Sequence, residues 1–239
     1  MTTALVTDGA ERARIGPWHG DPTVGCVTPQ PGSAPISARL VNRCVEQLAK
    51  RGFRQAVTAA MPAHESAGFA AAGFEVTERL HLLERPVVAR DRASVFRPDN
   101  VEFRRARNVD LDEVLAVDSR SFGSFWQLDA AGIKDARTAT SYARYRVATQ
   151  AGRVTGYVIT GRQGRTGYLQ RLAVDPDRRG AGVGASLVLD GVRWLALWRA
   201  RTVLVNTQET NAPALALYES LGFRRKPDGL TVWSTPLSQ

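Results

Sequence analysis

Cysteine is almost absent from this chain. Cys26 and Cys44 are the two in 239 residues. That excludes a disulfide-stapled scaffold, and neither stands at metal-ligand spacing, so no metal site is expected and both thiols read as reduced and structural. Long apolar runs are also missing. No stretch approaches the ~18 residues a membrane-spanning helix needs, so no membrane partner is expected. The opening MTTALVTDGAERARIG lacks a basic segment followed by an apolar core, does not read as a secretory signal, and leads to an expected cytoplasmic location. Lysine is scarce as well. Only Lys50, Lys134 and Lys226 stand against 29 arginines, a bias that a GC-rich genome tends to write.

What is present is unevenly spread. Residues 1–95 carry 11 basic and 9 acidic groups, residues 96–239 carry 21 and 14, and the whole chain is +9. A basic second half suits an anionic ligand such as a cofactor phosphate. No basic run with interleaved aromatics and no nucleic-acid motif occurs, so nucleic acid is not an expected partner.

The length allows one large domain or two small ones. Charges, two prolines and weak periodicity mark residues 85–100 as a connection. The expected division is residues 1–90, a linker at 91–100, and 101–239. In the second part a strand is expected at 101–105. A helix should follow, with Asp110 as N-cap and Leu111, Val114, Leu115 and Val117 on one face. Strands are expected at 145–149 and 154–160 around a Gly-containing turn, and at 168–174. The loop DPDRRGAGVG then opens a long helix through Arg199. A strand at 202–206, a helix at 211–221 stopped by Gly222, and a strand at 230–234 complete an α/β domain with a mixed sheet.

The first part echoes the end of the second. SARLVNRCVEQLAKRGFRQAVTAA and SLVLDGVRWLALWRARTVLVNT both read as helix then strand. HESAGFAAAGFEV then parallels PALALYESLGFRR. Phe69 stands four positions before Gly73-Phe74 as Tyr218 does before Gly222-Phe223. The first copy has TPQPGSAPIS where the second has its glycine loop, has no hydroxyl at Phe69, and is too short for earlier strands. It reads as a truncated copy used for packing or substrate shaping.

The most specific signal is LAVDPDRRGAGVG, residues 172–184. A strand enters a Gly-rich turn and then a helix, whose first N–H groups lack internal partners at the positive end of the dipole and so can donate to an anion. Glycines let the backbone approach closely, and Arg179 adds a fixed charge. No Gly-Lys-Ser/Thr follows, and the dinucleotide fingerprint does not fit.

Arg179-Gly180-Ala181-Gly182-Val183-Gly184, an Arg-x-x-Gly-x-Gly order after L-A-V-D-P, resembles the acetyl-CoA signature of the GNAT superfamily. NTQETNAPALALYESLGF, residues 206–223, extends the likeness over about fifty residues, most like ribosomal-protein N-terminal alanine acetyltransferases. The resemblance implies the GNAT fold, a mixed, mostly antiparallel sheet flanked by helices, preceded by a smaller truncated GNAT-like unit. It implies acetyl-CoA as co-substrate, an amine as acceptor, and direct N-acetyl transfer. It places Leu172, Ala173 and Val174 beside the pantetheine arm, and the N–H groups of Arg179, Gly180, Ala181, Gly182, Val183, Gly184 and Ala185 on the pyrophosphate. Asn211 either contacts the cofactor or is a plain N-cap. Tyr218 either protonates the departing sulfur or is a core tyrosine. The strand before the signature, Tyr168 to Arg171, has no carboxylate where many relatives place a base. Glu209 is a candidate through water, or an exposed loop charge. Phe122, Phe125 and Trp126 either line an acceptor groove or are core. The tandem layout also resembles mycothiol synthase, for which the chain looks short. The other open reading is a non-catalytic acyl-CoA-binding module.

Overall fold

The computed structural model describes residues 3–93 and 98–237. In chain order its elements begin with β1 (Ala4–Asp8), β2 (Glu11–Trp18), β3 (Asp21–Pro29), α1 (Ala38–Lys50), β4 (Gln55–Thr58), α2 (Ala67–Ala71) and β5 (Glu75–Pro86). They continue with β6 (Glu102–Arg105), α3 (Leu111–Ser121), α4 (Ala130–Thr138), β7 (Tyr142–Gln150), β8 (Arg153–Gln163) and β9 (Thr166–Val174). The last are α5 (Val183–Leu197), β10 (Thr202–Gln208), α6 (Ala212–Ser220), β11 (Arg224–Arg225) and β12 (Leu230–Pro236). Contacts gather them into two units. One runs to Leu82 and takes in residues 208–210 and 226–239; the other is Leu83–Thr207 with Asn211–Arg225.

In the first unit β1, β2 and β3 form an antiparallel meander, and β3 continues through α1 into parallel β4. Leu40, Val41, Cys44 and Leu48 recur at helical spacing on α1 and are buried, with Val6, Ala13, Ile15 and Val27 of the meander in the same core. The expectation that this copy is too short for earlier strands is therefore corrected. Its strands alternate buried Ala13 and Ile15 with exposed Arg12 and Arg14, a period-2 signal thinned by Gly16 and Pro17 in so short a segment. The final strand β12, grouped in sequence with residues 101–239, pairs instead with β4 (Ser234↔Val57) and β5 (Leu230↔Leu80). Its Trp233 packs against the first core. The connection differs too. Strand β5 runs to Pro86, Arg85 reaches Asp91 at 2.6 Å, and Ala89–Arg92 is a 3-10 turn. The expected linker falls partly on that turn and partly on residues 94–97, outside the described residues.

In the second unit the strand order is β10-β9-β8-β7-β6. The β7–β8 turn has Ala151 at φ 48° and Gly152 at φ 78°, as a two-residue hairpin with two left-handed positions requires. Helix α5 buries Leu187, Val188, Val192 and Leu195 with Val158, Leu169, Val203 and Val205. A separate cluster joins Val114, Val117 and Ile133 of α3 and α4 to Val147, Tyr157, Ile159 and Ala173. The sheet thus has a helix layer on each face. Asp110 stands at the start of α3 as expected but caps backwards. Its carboxylate accepts from Arg104 Nη1 and Nη2 at 2.7 and 2.8 Å and from the Arg107 N–H at 2.6 Å. The Arg104 bonds hold that carboxyl below its usual range. Among the described residues no helix is long and apolar enough to cross a membrane.

Candidate functional site

The site begins where two strands part. The β9–β10 ladder joins only Thr166–Tyr168 to Thr202–Leu204. Beyond it β9 runs on to Val174 and β10 to Gln208, and no further pairs join them among the described residues. One edge of β9 stays on β8, through Gly156↔Val174, Tyr157↔Ala173 and Val158↔Leu172. Its other edge, at Leu172, Ala173 and Val174, therefore offers main-chain groups to a ligand.

The strand ends on a braced loop. The Asp175 N–H donates to Thr155 O at 2.9 Å, and Asp175 Oδ1 accepts from the Asp177 N–H at 3.0 Å. Arg120, near the end of α3, pairs with Asp175 at 3.0 Å and Asp177 at 2.5 Å, and Ser121 Oγ donates to Val174 O at 3.1 Å. Gly180 and Gly182 then both take φ 79°, which an L-residue rarely adopts. Gly182 is the cap of α5 and offers no side chain to its open N–H groups. The Ser186 N–H already bonds Gly182 O, so the groups left without a helical acceptor are those of Gly182, Val183, Gly184 and Ala185. Arg179 and Ala181 are exposed beside them. A Cβ on Gly184 would lie 3.3 Å from Leu217 Cδ2 and 3.5 Å from Val174 Cγ2. The first turn of α5 is thus packed between the end of β9 and α6.

Tyr218 follows Leu217 on α6. It is buried in the cluster that holds Val183 and Leu187, against which Leu172 and Val174 also pack. Burial pushes its phenol well above the usual range, and the nearby Arg171 charge opposes this. Asn211 is the N-cap, its Oδ1 accepting from the Ala214 N–H at 3.2 Å. Glu209 is exposed, its N–H donating to Arg79 O at 3.1 Å, and it counts with the first unit. The structure therefore brings together Leu172, Val174, Val183, Gly184 and Tyr218 within the second unit, while Glu209 belongs to the first.

Sequence reasoning missed a buried network on the other face of β9. Pairing passes from Ile159↔Arg171 to Thr160↔Leu169, so Gln170 is an extra residue. This bulge puts consecutive Gln170 and Arg171 on the α3–α4 face. Arg171 donates to Asp118 through Nε at 2.8 Å and Nη2 at 2.7 Å, and Nη2 also donates to Trp126 O at 2.7 Å. Asp118 is fully buried and further accepts from the Tyr157 hydroxyl and, at 2.8 Å, from the Leu128 N–H. The Arg171 guanidinium lies 3.5 Å from the Phe122 ring centroid. Phe122, half-buried, also packs on the α3–α4 core. Phe125 and Trp126 meet edge to face at 5.2 Å in the turn Ser124–Trp126. One signal existed: Asp118 lies four residues after Val114, an acid on an apolar helix face.

The first unit repeats the local geometry but closes it. Its Phe74 N–H donates to Phe69 O at 3.1 Å, as the Phe223 N–H does to Tyr218 O at 3.0 Å, and Gly73 and Gly222 take φ 81° and 85°. All four residues of β4 pair with β3, so no strands part. At α1, Ser37 Oγ accepts from the Leu40 N–H, and Glu11 Oε2 accepts from the Ser37 N–H at 2.7 Å. A protein carboxylate thus sits where the second unit leaves its N–H groups open. A Cβ on Gly68 would fall 2.1 Å from Ile36 O, so α2 presses on that loop. Phe69→Ala is expected to lower stability by about 3–5 kcal/mol, read by chemical unfolding, with acetyl-CoA affinity unchanged. A selective loss of that affinity would refute a purely structural first copy.

Residues 111–223 match the family described as Acetyltransferase (GNAT). A mycothiol acetyltransferase of Amycolatopsis mediterranei is 31% identical over 168 residues, covering 64% of this chain and 56% of that protein. One of Thermobispora bispora is 29% identical over 239 residues, covering 92% and 79%. The match thus spans little more than half the length of the Amycolatopsis relative. A solved tandem GNAT protein from the clavulanic acid biosynthesis pathway superposes with TM-score 0.68 over 99% of this chain and 84% of its own, at 17% identity. The tandem fold is shared.

Proposed function

Because residues 111–223 match the acetyltransferase (GNAT) family, we propose that the chain transfers the acetyl group of acetyl-CoA directly to a primary amine. One observation carries this: β9 and β10 part beside an α5 terminus with open N–H groups, and Tyr218 packs into the same cluster. Main-chain groups of Leu172, Ala173 and Val174 would hold the pantetheine arm. The open N–H groups of Gly182 to Ala185 would hold the pyrophosphate, with Gly180 and Ala181 before them, the Arg179 side chain beside them and Asn211 at the edge. Two buried or half-buried free cysteines fit a reducing cytoplasm.

Acetyl-CoA supplies an activated acetyl thioester. In the transfer a C–N bond forms, the C–S bond breaks, the amine loses a proton and the sulfur gains one. Tyr218 is the proton donor to sulfur, and burial keeps its phenol protonated through the neutral and mildly alkaline range. Asp118 is not a free base, since four donors already engage it. An α-amine, titrating near ~8 rather than a lysine's ~10, makes the smallest demand on a base. The name shared by the two relatives favours a small-molecule acceptor.

Calorimetric titration with acetyl-CoA, followed by thiol release with an amine panel, tests this reading. Tyr218→Phe is expected to bind acetyl-CoA as the wild type does and to turn over about 10²-fold more slowly. Unchanged turnover would remove Tyr218 from the chemistry. Tight binding with no turnover by the wild type would favour an acyl-CoA-binding module.

A further inference from the structure

At one end of the second unit lies an exposed cluster that acetyl transfer does not use, and we propose that it docks an acidic, amphipathic segment of a partner protein. Tyr142 opens β7, Arg162 stands near the end of β8, and Leu197 and Trp198 close α5. Tyr142, Leu197 and Trp198 are 53%, 54% and 52% exposed. The Tyr142 and Trp198 rings stack 24° from parallel, with centroids 6.0 Å apart. The Arg162 guanidinium packs across both, 4.6 Å from the Tyr142 centroid and 5.5 Å from that of Trp198. Its Nη1 donates to Gly164 O at 2.7 Å, which fixes it there. Three large side chains are thus held in place before a partner arrives, so docking on them costs little side-chain entropy. Tryptophan, tyrosine and arginine are also the residues that carry most of the binding energy at protein interfaces.

The chain around the cluster carries charge of one sign. Residues 136–174 and 191–208 contain no aspartate or glutamate. Arg165, Arg199 and Arg201 are exposed, and the Arg201 N–H donates to Arg165 O at 2.7 Å, which joins their two turns. Arg199 takes φ 58°, at the place after a helix where glycine is usual. A cation is thus kept beside Trp198 despite a left-handed backbone. Neighbouring carboxylates are withdrawn. Asp190 is buried under Arg144 and Arg146, at 3.1 and 3.4 Å. The Val87 N–H donates to Arg201 O at 2.8 Å, but of the acids near it Asp91 pairs with Arg85 at 2.6 Å and Glu84 is half-buried. Asp135 is on α4, across the sheet from α5. Carboxylates on a partner answer the arginines, and aliphatic side chains answer Leu197. Nucleic acid fits less well. It brings no aliphatic side chain to Leu197, and two rings already stacked with Arg162 across them leave no slot for a base. The cluster lies at the opposite end of α5 from the glycine loop, about 22 Å along the helix axis, so a docked partner leaves that loop open.

Fluorescence anisotropy of a labelled peptide of repeated Glu-Glu-Leu, titrated with the full chain, tests the surface. A Lys-Lys-Leu repeat and an oligothymidylate are the comparisons. The acidic peptide is expected to bind in the micromolar range at low salt and to weaken as salt is raised, while the basic peptide does not bind. Trp198→Ala should weaken binding about tenfold or more. Arg199→Gly should weaken it severalfold with Tm unchanged or higher, because glycine relieves the left-handed position, so loss of fold cannot explain that result. Arg153→Gln, at the other end of β8, should bind as the wild type does. No binding of the acidic peptide, or equal binding by wild type and Trp198→Ala, overturns the proposal. An equal loss in Arg153→Gln also overturns it, since general basicity would then account for the binding. Tighter binding of the oligothymidylate that is lost in Trp198→Ala would make this a nucleic-acid surface instead. The readout is peptide binding, so failure of acetyl-CoA to bind would bear on the proposed transfer and not on this surface.

Discussion

Gly182→Glu should abolish measurable acetyl-CoA binding while the protein still folds, a loss of more than about 10²-fold in Kd, or roughly 2.7 kcal/mol. Gly182 caps α5 at φ 79°, where any L-residue is strained by roughly 1–2 kcal/mol. The protein itself has room for the change, because a Cβ there meets only Pro98 Cγ at 3.6 Å, an ordinary contact. The damage falls on the ligand. A carboxylate would lie beside the N–H groups of Val183, Gly184 and Ala185, satisfy them internally, and repel a pyrophosphate. The first unit already shows this arrangement with Ser37 and Glu11. Gly182→Ala separates the two effects, since it carries the backbone strain without the charge and should weaken binding far less. Calorimetry on both variants, with circular dichroism as the folding control, reads the outcome. Wild-type affinity in folded Gly182→Glu would mean the phosphate seat lies elsewhere.

Asp118→Ala should be the most destabilising single change in the second unit. It strands the Arg171 guanidinium, the Tyr157 hydroxyl and the Leu128 N–H around a fully buried position. Breaking a buried pair from one side costs about 3–5 kcal/mol, because the remaining charge keeps its desolvation penalty. For a chain of this size that is a fall in Tm of roughly 10 °C. The Tyr157 phenol is pushed above its usual range by burial, so it remains a donor in need of an acceptor. Asp118→Asn keeps the volume and part of the acceptance and should cost less than Asp118→Ala. Amide exchange at Leu128 should rise in both, since its N–H loses or weakens its acceptor. A fall of Tm below a few degrees in Asp118→Ala would show that the network is not what holds residues 119–128 to β9.

Much of this was legible in one dimension. The glycine loop, the helix it opens, Asn211 as a cap and Gly222 as a stop are local features, written by chain chirality, helix-end chemistry and spacing, and each stands where the sequence placed it. The repeat was legible for the same reason, since Phe69 and Tyr218 share one local backbone geometry. The three strands before α1 were not. Gly16 and Pro17 interrupt the alternation of β2, and Gly25 that of β3.

Other features have no one-dimensional signal. That β9 and β10 part after three pairs depends on contacts between residues 36 positions apart, and the bulge at Gln170 depends on register against β8. The pairing of β12 with β4 and β5 joins residues 150 or more positions apart. The sequence by itself therefore determined the tandem layout, the glycine loop and the helix that carries Tyr218, because these follow from local conformation. Only the tertiary structure decided which copy is open, which strand completes which sheet, and that an arginine backed by Asp118 stands where a carboxylate was sought. Strand pairing and burial couple residues that sequence distance keeps apart.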